Sequence, residues 1–368
     1  MDLQQIGLGH PRIRQVMAIE KNTAPNPRKL FVAEGLWAHK LLLQTATAVE
    51  VFLWSPEAAY GDEARQRAAE VAAVAKAAYQ ISAKTLERIS ERDRPDGLLS
   101  IAQLREWQPE DLEFGPSALV MVADGMEIPG NLGTLIRTAD ACRVDCLVLT
   151  NRRTRLTHPK VFRASQGMML TVPIIEFTQP EQAADWLAEN DFDVYLADTD
   201  DARNYRSLRY RDRRTAFVLG AERYGIPKAW YRPGFGRVFV PMLGAADSLN
   251  VSISAAVLLY EARAQKENWL PVRREPKRTR PRPAGPLLRN GCRRRTSGRS
   301  RWRAGLARPG PDRLQPVVAR PQSGRHNPRR PYRSRYARGA PPGMRQLPLL
   351  QRGFSPAASP SAAGAPVK

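Results

Sequence analysis

Short apolar runs alternate with longer amphipathic stretches between residues 30 and 265, and this alternation predicts strand and helix in turn. In the first part of the chain, strands are expected at 30–35, 49–54, 79–82 and 97–102, with helices over 36–45, 62–78 and 83–91. In the second part, strands are expected at 118–123, 146–150, 172–176, 193–198, 215–220 and 237–240. Helices are expected there over 131–143, 159–166, 179–190, 227–231 and 250–265. Runs such as Ala118-Leu119-Val120-Met121-Val122-Ala123 are apolar on both faces, as strands of a parallel sheet covered on both sides are. The stretch 10–28 is polar and carries Arg12, Arg14, Lys21 and Arg28, and no element is expected in it. The pattern predicts an α/β chain in two parts, 1–108 and 117–270, joined by a polar linker at 109–116.

Charge changes the picture mainly by where it sits. Of the formal net charge of +22, residues 271–368 hold 25 basic and 2 acidic side chains, whereas residues 1–270 hold 33 and 34. The 271–368 stretch also contains 17 of the 31 prolines and almost no apolar periodicity, so it is expected to be a disordered tail. Two readings of it stand side by side. It is either a basic arm that adds salt-dependent affinity for RNA, or the Arg/Pro/Gly/Ala-rich product of GC-rich DNA read in a shifted frame. RNA binding by 1–270 would need a local patch, for which Arg12, Arg14, Lys21, Arg28, Lys29, Arg152, Arg153 and Arg155 are candidates.

Cys142, Cys146 and Cys292 have no metal-ligand spacing, and the first two fall in expected helix and strand, where buried thiols are common. The cysteine usage, the lack of an apolar run of roughly 18 residues, and the lack of an apolar segment within 1–29 together predict a reduced, cytoplasmic chain with no membrane span. No phosphate-binding GxxxxGK[ST] loop occurs, and Gly220-Ala221-Glu222-Arg223-Tyr224-Gly225 lacks the second glycine of a dinucleotide fingerprint. His10, His39, His158 and His326 are scattered, and a lone histidine is more often a core or surface residue than a catalyst.

Three strand–loop–helix transitions are more specific. In Asp124 to Ala139, Asn131 is placed to cap a helix, Gly133 permits close backbone approach, and Arg137 follows about 1.7 turns beyond Asn131. Leu219 to Pro227 puts a proline at an expected helix start. In Val240 to Ser252, Ser248 or Asn250 is placed to cap the last helix, with Leu249 expected to face inward. Each loop alone has a capping explanation.

Together, in order, they resemble the SpoU/TrmH-type RNA ribose 2′-O-methyltransferases of the SPOUT superfamily. The matching residues are Asn131/Gly133/Arg137/Ala139, Gly220/Glu222/Gly225, and Pro241/Met242/Gly244 with Ser248-Leu249-Asn250-Val251-Ser252. Arg163-Ala164-Ser165-Gln166-Gly167 is similar to a lesser element of the family. Residues 1–108, notably Phe31-Val32-Ala33-Glu34-Gly35, resemble the ribosomal-protein-like RNA-binding domain often fused in front. The resemblance implies a mostly parallel sheet whose C-terminal part is tied in a trefoil knot, a homodimer, and S-adenosylmethionine as cofactor. It implies that Gly220, Val240 and Leu249 hold the adenosyl part and that Met242 and Ile226 supply apolar walls. It makes Arg137 the central catalytic residue, assigned in the family as general base. Because a guanidinium has a pKa above about 12, a cationic role in stabilising the forming alkoxide or clamping a phosphate is preferred. Asn131 would orient Arg137 or the ribose, Glu222 would fix the second loop or pair with Arg137, and Ser248 and Asn250 would line the site. No metal is implied. The expected substrate is ribosomal RNA of the 23S type. Transfer RNA, an antibiotic-resistance role on ribosomal RNA, and a non-catalytic RNA-binding or assembly protein are the alternatives.

Overall fold

The computed structural model describes residues 2–246 and 248–269, which build two sheets, each covered by helices. The expected 271–368 tail, His326 and Cys292 lie outside the described residues.

The smaller sheet contains β1 (Leu30–Glu34), β2 (Val49–Trp54), β3 (Ala78–Gln80) and β4 (Leu98–Gln103), in the order β1-β4-β2-β3. β4 pairs antiparallel with β1 and β2, and β2 pairs parallel with β3. Side chains alternate across a strand, so each strand feeds two cores. Phe31, Phe52 and Leu98 pack with Leu42 of α2 (Leu36–Gln44) and with Ala68 and Val71 of α3 (Gly61–Val74). On the other face, Val32, Leu53 and Leu99 pack with residues of α1 (Pro11–Lys21) and α4 (Ala83–Ile89). Helix α1 corrects the reading of 10–28 as elementless. Only Ile13 and Val16 of it are buried, too sparse a stripe to show as periodicity. Pro11 pre-sets the first turn, and the His10 ring accepts a hydrogen bond from Arg12 N–H.

The larger sheet has seven strands where six were expected: β5 (Leu119–Asp124), β6 (Cys146–Thr150), β7 (Ile174–Glu176), β8 (Asp193–Ala197), β9 (Arg203–Asn204), β10 (Thr215–Leu219) and β11 (Gly236–Phe239). Their order is β7-β6-β5-β10-β8-β11-β9, and every pairing is parallel. The two-residue β9 has no apolar run and exists only through its pairing with β11. Helices α5 (Pro129–Ala141), α6 (Pro159–Ser165), α7 (Pro180–Glu189) and α8 (Val251–Lys266) cover this sheet. The helix expected over 227–231 is a 3₁₀ turn at Lys228–Trp230.

The chain runs outward from β5 through β6 to β7, then crosses to β8 on the far side, and β10 returns between β8 and β5. Such a reversal opens a crevice at the carboxyl ends of the strands. Two contacts fix α5 against its neighbours α6 and α8. Gly133 of α5 faces α6 so closely that a Cβ there would lie 2.5 Å from Ala164 Cβ and 2.8 Å from Val161 O. The close approach allowed by Gly133 is therefore helix on helix. Arg263 of α8, buried, donates from Nε to Cys142 O at 2.7 Å and caps the carboxyl end of α5, where a cation is favoured.

The two sheets lie in one compact unit. Phe31 and Phe162 bring their ring centroids to 5.1 Å, and Asn26 Nδ2 donates to Thr157 Oγ1 at 3.1 Å.

Candidate functional site

Helix α5 begins two residues earlier than expected. Pro129 occupies the first turn and Ile128 is the N-cap with no side-chain bond, so Asn131 is not a cap. Its amide is instead free to point across the crevice. Asn131 Nδ2 donates to Glu222 Oε1 at 2.6 Å, and Asn131 Oδ1 accepts from Asn250 Nδ2 at 3.3 Å. Asn250 also caps α8, its Oδ1 accepting from Ser252 N–H at 2.9 Å, while Ser252 Oγ donates to Asn131 O at 3.2 Å. One string of hydrogen bonds thus joins the three loops.

The second loop is held by its own backbone. Ala221 and Gly225 form an antiparallel bridge, with Gly225 N–H donating to Ala221 O at 2.9 Å and Gly225 at φ +68°. Gly220 lies beneath this turn: a Cβ there would sit 2.2 Å from the carbonyl carbon and oxygen of Gly225. Just beyond, the fully buried Trp230 donates Nε1–H to Asp124 Oδ2 at 2.9 Å. Thr150 Oγ1 donates to the same carboxylate at 2.6 Å and Asn151 Nδ2 at 3.0 Å, which latches the second loop to the ends of β5 and β6.

These loops wall a cavity of about 630 Å³ at the carboxyl ends of β8, β10 and β11. That volume lies in the range of small-molecule and cofactor sites. All five residues expected to hold the adenosyl part line it: Gly220, Ile226, Val240, Met242 and Leu249. Asn131, Glu222, Ser248 and Asn250 line it too. Two residues lie differently from the rest. Leu249 is 37% exposed, so it does not face inward as core; it forms a rim of the cavity. Arg137 is outside the lining, exposed on α5 and without a hydrogen bond or ion pair among the described residues. Six residues of helix carry it about 120° around and 9 Å along the axis from Asn131. It does not pair with Glu222, whose carboxylate is taken by Asn131.

Ala197, Asp198 and Thr199, at the end of β8, also line the cavity and were missed. The one available signal was their place after a parallel strand. Burial alone would raise the Asp198 carboxyl, but hydrogen bonds from Tyr231 Oη and from the N–H groups of Asp200 and Thr199, with the Arg237 guanidinium, outweigh it. The carboxyl is held below its ordinary value and stays ionised at the cavity wall.

The described histidines have structural roles. His10 and His158 each precede a proline and cap α1 and α6, and His39 is buried between Gly35 O and Ser100 Oγ. Burial drives the Cys142 thiol up to about 11 and raises Cys146 as well, so neither is a nucleophile at neutral pH. Among the described residues no cluster of three or more His, Cys, Asp or Glu could hold a metal, and no helix is long and apolar enough to cross a membrane.

The model of the SpoU rRNA Methylase family matches residues 118–260. Proteins named for the TrmH family of tRNA/rRNA methyltransferases in Staphylococcus epidermidis and Staphylococcus aureus are 34% and 35% identical over 142 residues. That alignment covers 39% of this chain and 57% of each of those proteins, so the chain spans a little over half the length of the curated relatives it matches. A crystal structure of an RNA 2′-O ribose methyltransferase is 30% identical, covers 72% of this chain and 99% of its own, and has a TM-score of 0.60. An AdoMet-bound rRNA methyltransferase from Sinorhizobium meliloti shares the fold, with a TM-score of 0.65 over 71% of this chain and 97% of its own at 24% identity.

Proposed function

Because the chain belongs to the SpoU/TrmH family of RNA methyltransferases, we propose that it uses S-adenosylmethionine to methylate a ribose 2′-oxygen of RNA, with ribosomal RNA as substrate. The observation that carries this reading is the string Asn250–Asn131–Glu222, which brings three distant loops to the mouth of one cavity.

The residues present fit the cofactor. Backbone at Gly220, Val240 and Leu249, between the apolar walls of Ile226 and Met242, suits a flat adenine with its edge donors and acceptors. When bound, S-adenosylmethionine supplies a methyl group already activated by a positive sulfur. The protein therefore has to place the ribose oxygen and stabilise the charge that grows on it. Asn131, fixed at both ends of its amide, and Asn250 and Ser248 beside it, orient the ribose. Glu222 anchors the second loop through Asn131. Arg137 supplies the cation. Being exposed and outside the lining of its own chain's cavity, it serves this role in a homodimer, reaching the cavity of the second copy.

We further read residues 1–108 as the RNA-binding part, 109–116 as the linker and 117–270 as the methyltransferase part, with the sheet's C-terminal end knotted. Both parts act in the cytoplasm. Transfer of labelled methyl groups from S-adenosylmethionine to ribosomal or transfer RNA, followed by mapping, tests the function. A modified position that resists alkaline cleavage supports 2′-O-methylation. One that remains alkali-sensitive overturns it, and labelling of transfer RNA alone overturns the choice of substrate.

A further inference from the structure

A second concavity opens on the same edge of the larger sheet. It has a volume of about 580 Å³ and lies where Asn151–Arg153 leave β6 and Glu176–Thr178 leave β7, closed on its other side by Arg105, Glu106 and Trp107. A neighbouring cavity of about 400 Å³ shares Lys29, Arg152, Leu156 and Glu176 with it and adds Arg155, so the two form one groove. All seven strands are parallel, which places this groove and the cofactor cavity at the carboxyl end of one sheet. β6 stands two strand spacings, about 10 Å, from β10.

The lining has the chemistry of a single-stranded nucleic-acid site. The Arg105 guanidinium lies 3.7 Å over the ring of Trp107, and that ring packs against the core, so a flat cation is presented on a fixed platform. Bases stack on aromatic rings and on guanidinium planes, and backbone phosphates pair with nearby cations. Five cations, Lys29, Arg105, Arg152, Arg153 and Arg155, face two carboxylates, Glu106 and Glu176. Glu106 pairs with Lys29 and Glu176 with Arg152, each at 3.3 Å, while Arg153 is exposed with no ion pair among the described residues. An exposed basic surface is usually just solvated. Here the cations line a concavity, carry a stacking platform, and share an edge with the candidate methyl-transfer site.

Asn151 connects the two sites. It lines the groove and donates to Asp124, the carboxylate that also holds Trp230 and with it the second loop of the cofactor cavity. Of the cations suggested by sequence, Lys29, Arg152, Arg153 and Arg155 belong to this groove, whereas Arg12, Arg14, Lys21 and Arg28 lie outside its lining.

We infer that this groove holds a single-stranded segment of RNA flanking the target nucleotide, with a base on the Arg105–Trp107 platform and phosphates on Arg152 and Arg153. The inference rests on the proposed methyltransferase reading for its choice of RNA. The test uses the full chain and a fluorescein-labelled oligouridylate, with affinity measured by anisotropy against salt in the absence of cofactor. Arg153→Gln is expected to reduce the slope of log affinity against log salt by roughly 0.7, the value for one phosphate contact on a single strand. Arg105→Gln with Arg153→Gln is expected to weaken binding on the order of ten-fold. Trp107→Leu should weaken binding with the salt slope unchanged, because it removes the platform and no charge. Residues 271–368 are the same in every variant, so their charge cancels in each comparison. Unchanged affinity and slope in the Arg105→Gln/Arg153→Gln chain overturn the groove. Variants that lose oligouridylate, together with a wild-type chain that binds it yet transfers no methyl group to any RNA, overturn the proposed function and support the groove.

Discussion

Asn131 and Glu222, 91 residues apart in the chain, meet through a 2.6 Å hydrogen bond in which the amide donates and the carboxylate accepts. With Asn250 donating to its other end at 3.3 Å, the Asn131 side chain has one allowed orientation. Asn131→Ala removes the link and is expected to lower kcat/KM by roughly ten- to a hundred-fold, the range for a hydrogen bond to a charged group. Asn131→Asp sets a second carboxylate against Glu222 and should be worse than the alanine. Steady-state methyl transfer measures both. An aspartate variant more active than the alanine variant would overturn this account of the string.

Arg137→Ala is expected to abolish methyl transfer while leaving S-adenosylmethionine affinity within about two-fold, since the proposed role of the cation is on the ribose oxygen and not on the adenosyl part, which other residues wall. Single-turnover rates and calorimetry read the two effects separately. Near-normal turnover would remove Arg137 from the chemistry.

If Arg137 acts on the cavity of a second copy, two inactive chains should restore one another. Co-expressed Arg137→Ala and Glu222→Ala subunits pair at random, and each mixed dimer carries one site with both residues intact, so about a quarter of wild-type activity should return. No recovery from a mixture proven to contain mixed dimers places Arg137 and Glu222 in the same chain's site.

Gly220→Ala puts a Cβ 2.2 Å from the backbone of Gly225, and backbone cannot rotate away as a side chain can. The turn bearing Glu222 must shift. Cofactor affinity is expected to fall by at least about ten-fold, equivalent to roughly 1.4 kcal/mol. Unaltered calorimetric affinity would show that this turn does not shape the cofactor cavity.

His39 sets an acid limit on the fold. Its Nδ1–H donates to Gly35 O, so Nε2 accepts from Ser100 Oγ–H and the ring is neutral. Burial lowers its pKa from 6.5 to about 4. Between these values the unfolded chain binds a proton that the folded chain refuses. The contribution of neutral His39 is thus fully present above pH 6.5 and is lost as pH falls towards 4, in total about 3 kcal/mol. Urea midpoints at pH 7 and pH 5 should differ more in the wild type than in His39→Gln. Equal differences would mean that His39 is not the group responsible.

The sequence alone carried most of the elements, and nine of the ten site residues named from it line the cavity; part of the reason is local. Apolar runs such as Leu119–Asp124 and Thr215–Leu219 declare buried parallel strands, and residues just after such strands lie at the sheet's carboxyl edge wherever the chain goes next. The loop positions of Gly220 and Val240 were legible on those terms, whereas their expected cofactor role, and the site role of Asn250, came with the family resemblance. Where local signals were weak, they misled: α1 buries only Ile13 and Val16, and β9 is two residues held by its neighbour.

What only the tertiary structure decided are relations between distant residues. Pro129 starts α5 before Asn131, and that shift turns a supposed cap into the link between Asn250 and Glu222. The exposed position of Arg137 depends on which face of α5 is buried against α6 and α8, which no single stretch records. The groove of Lys29, Arg105, Trp107 and Arg153 draws on three separate segments, none of which shows a motif. Local chemistry is written along the chain, whereas a concavity exists only once parallel strands and their crossings have set which loops share an edge.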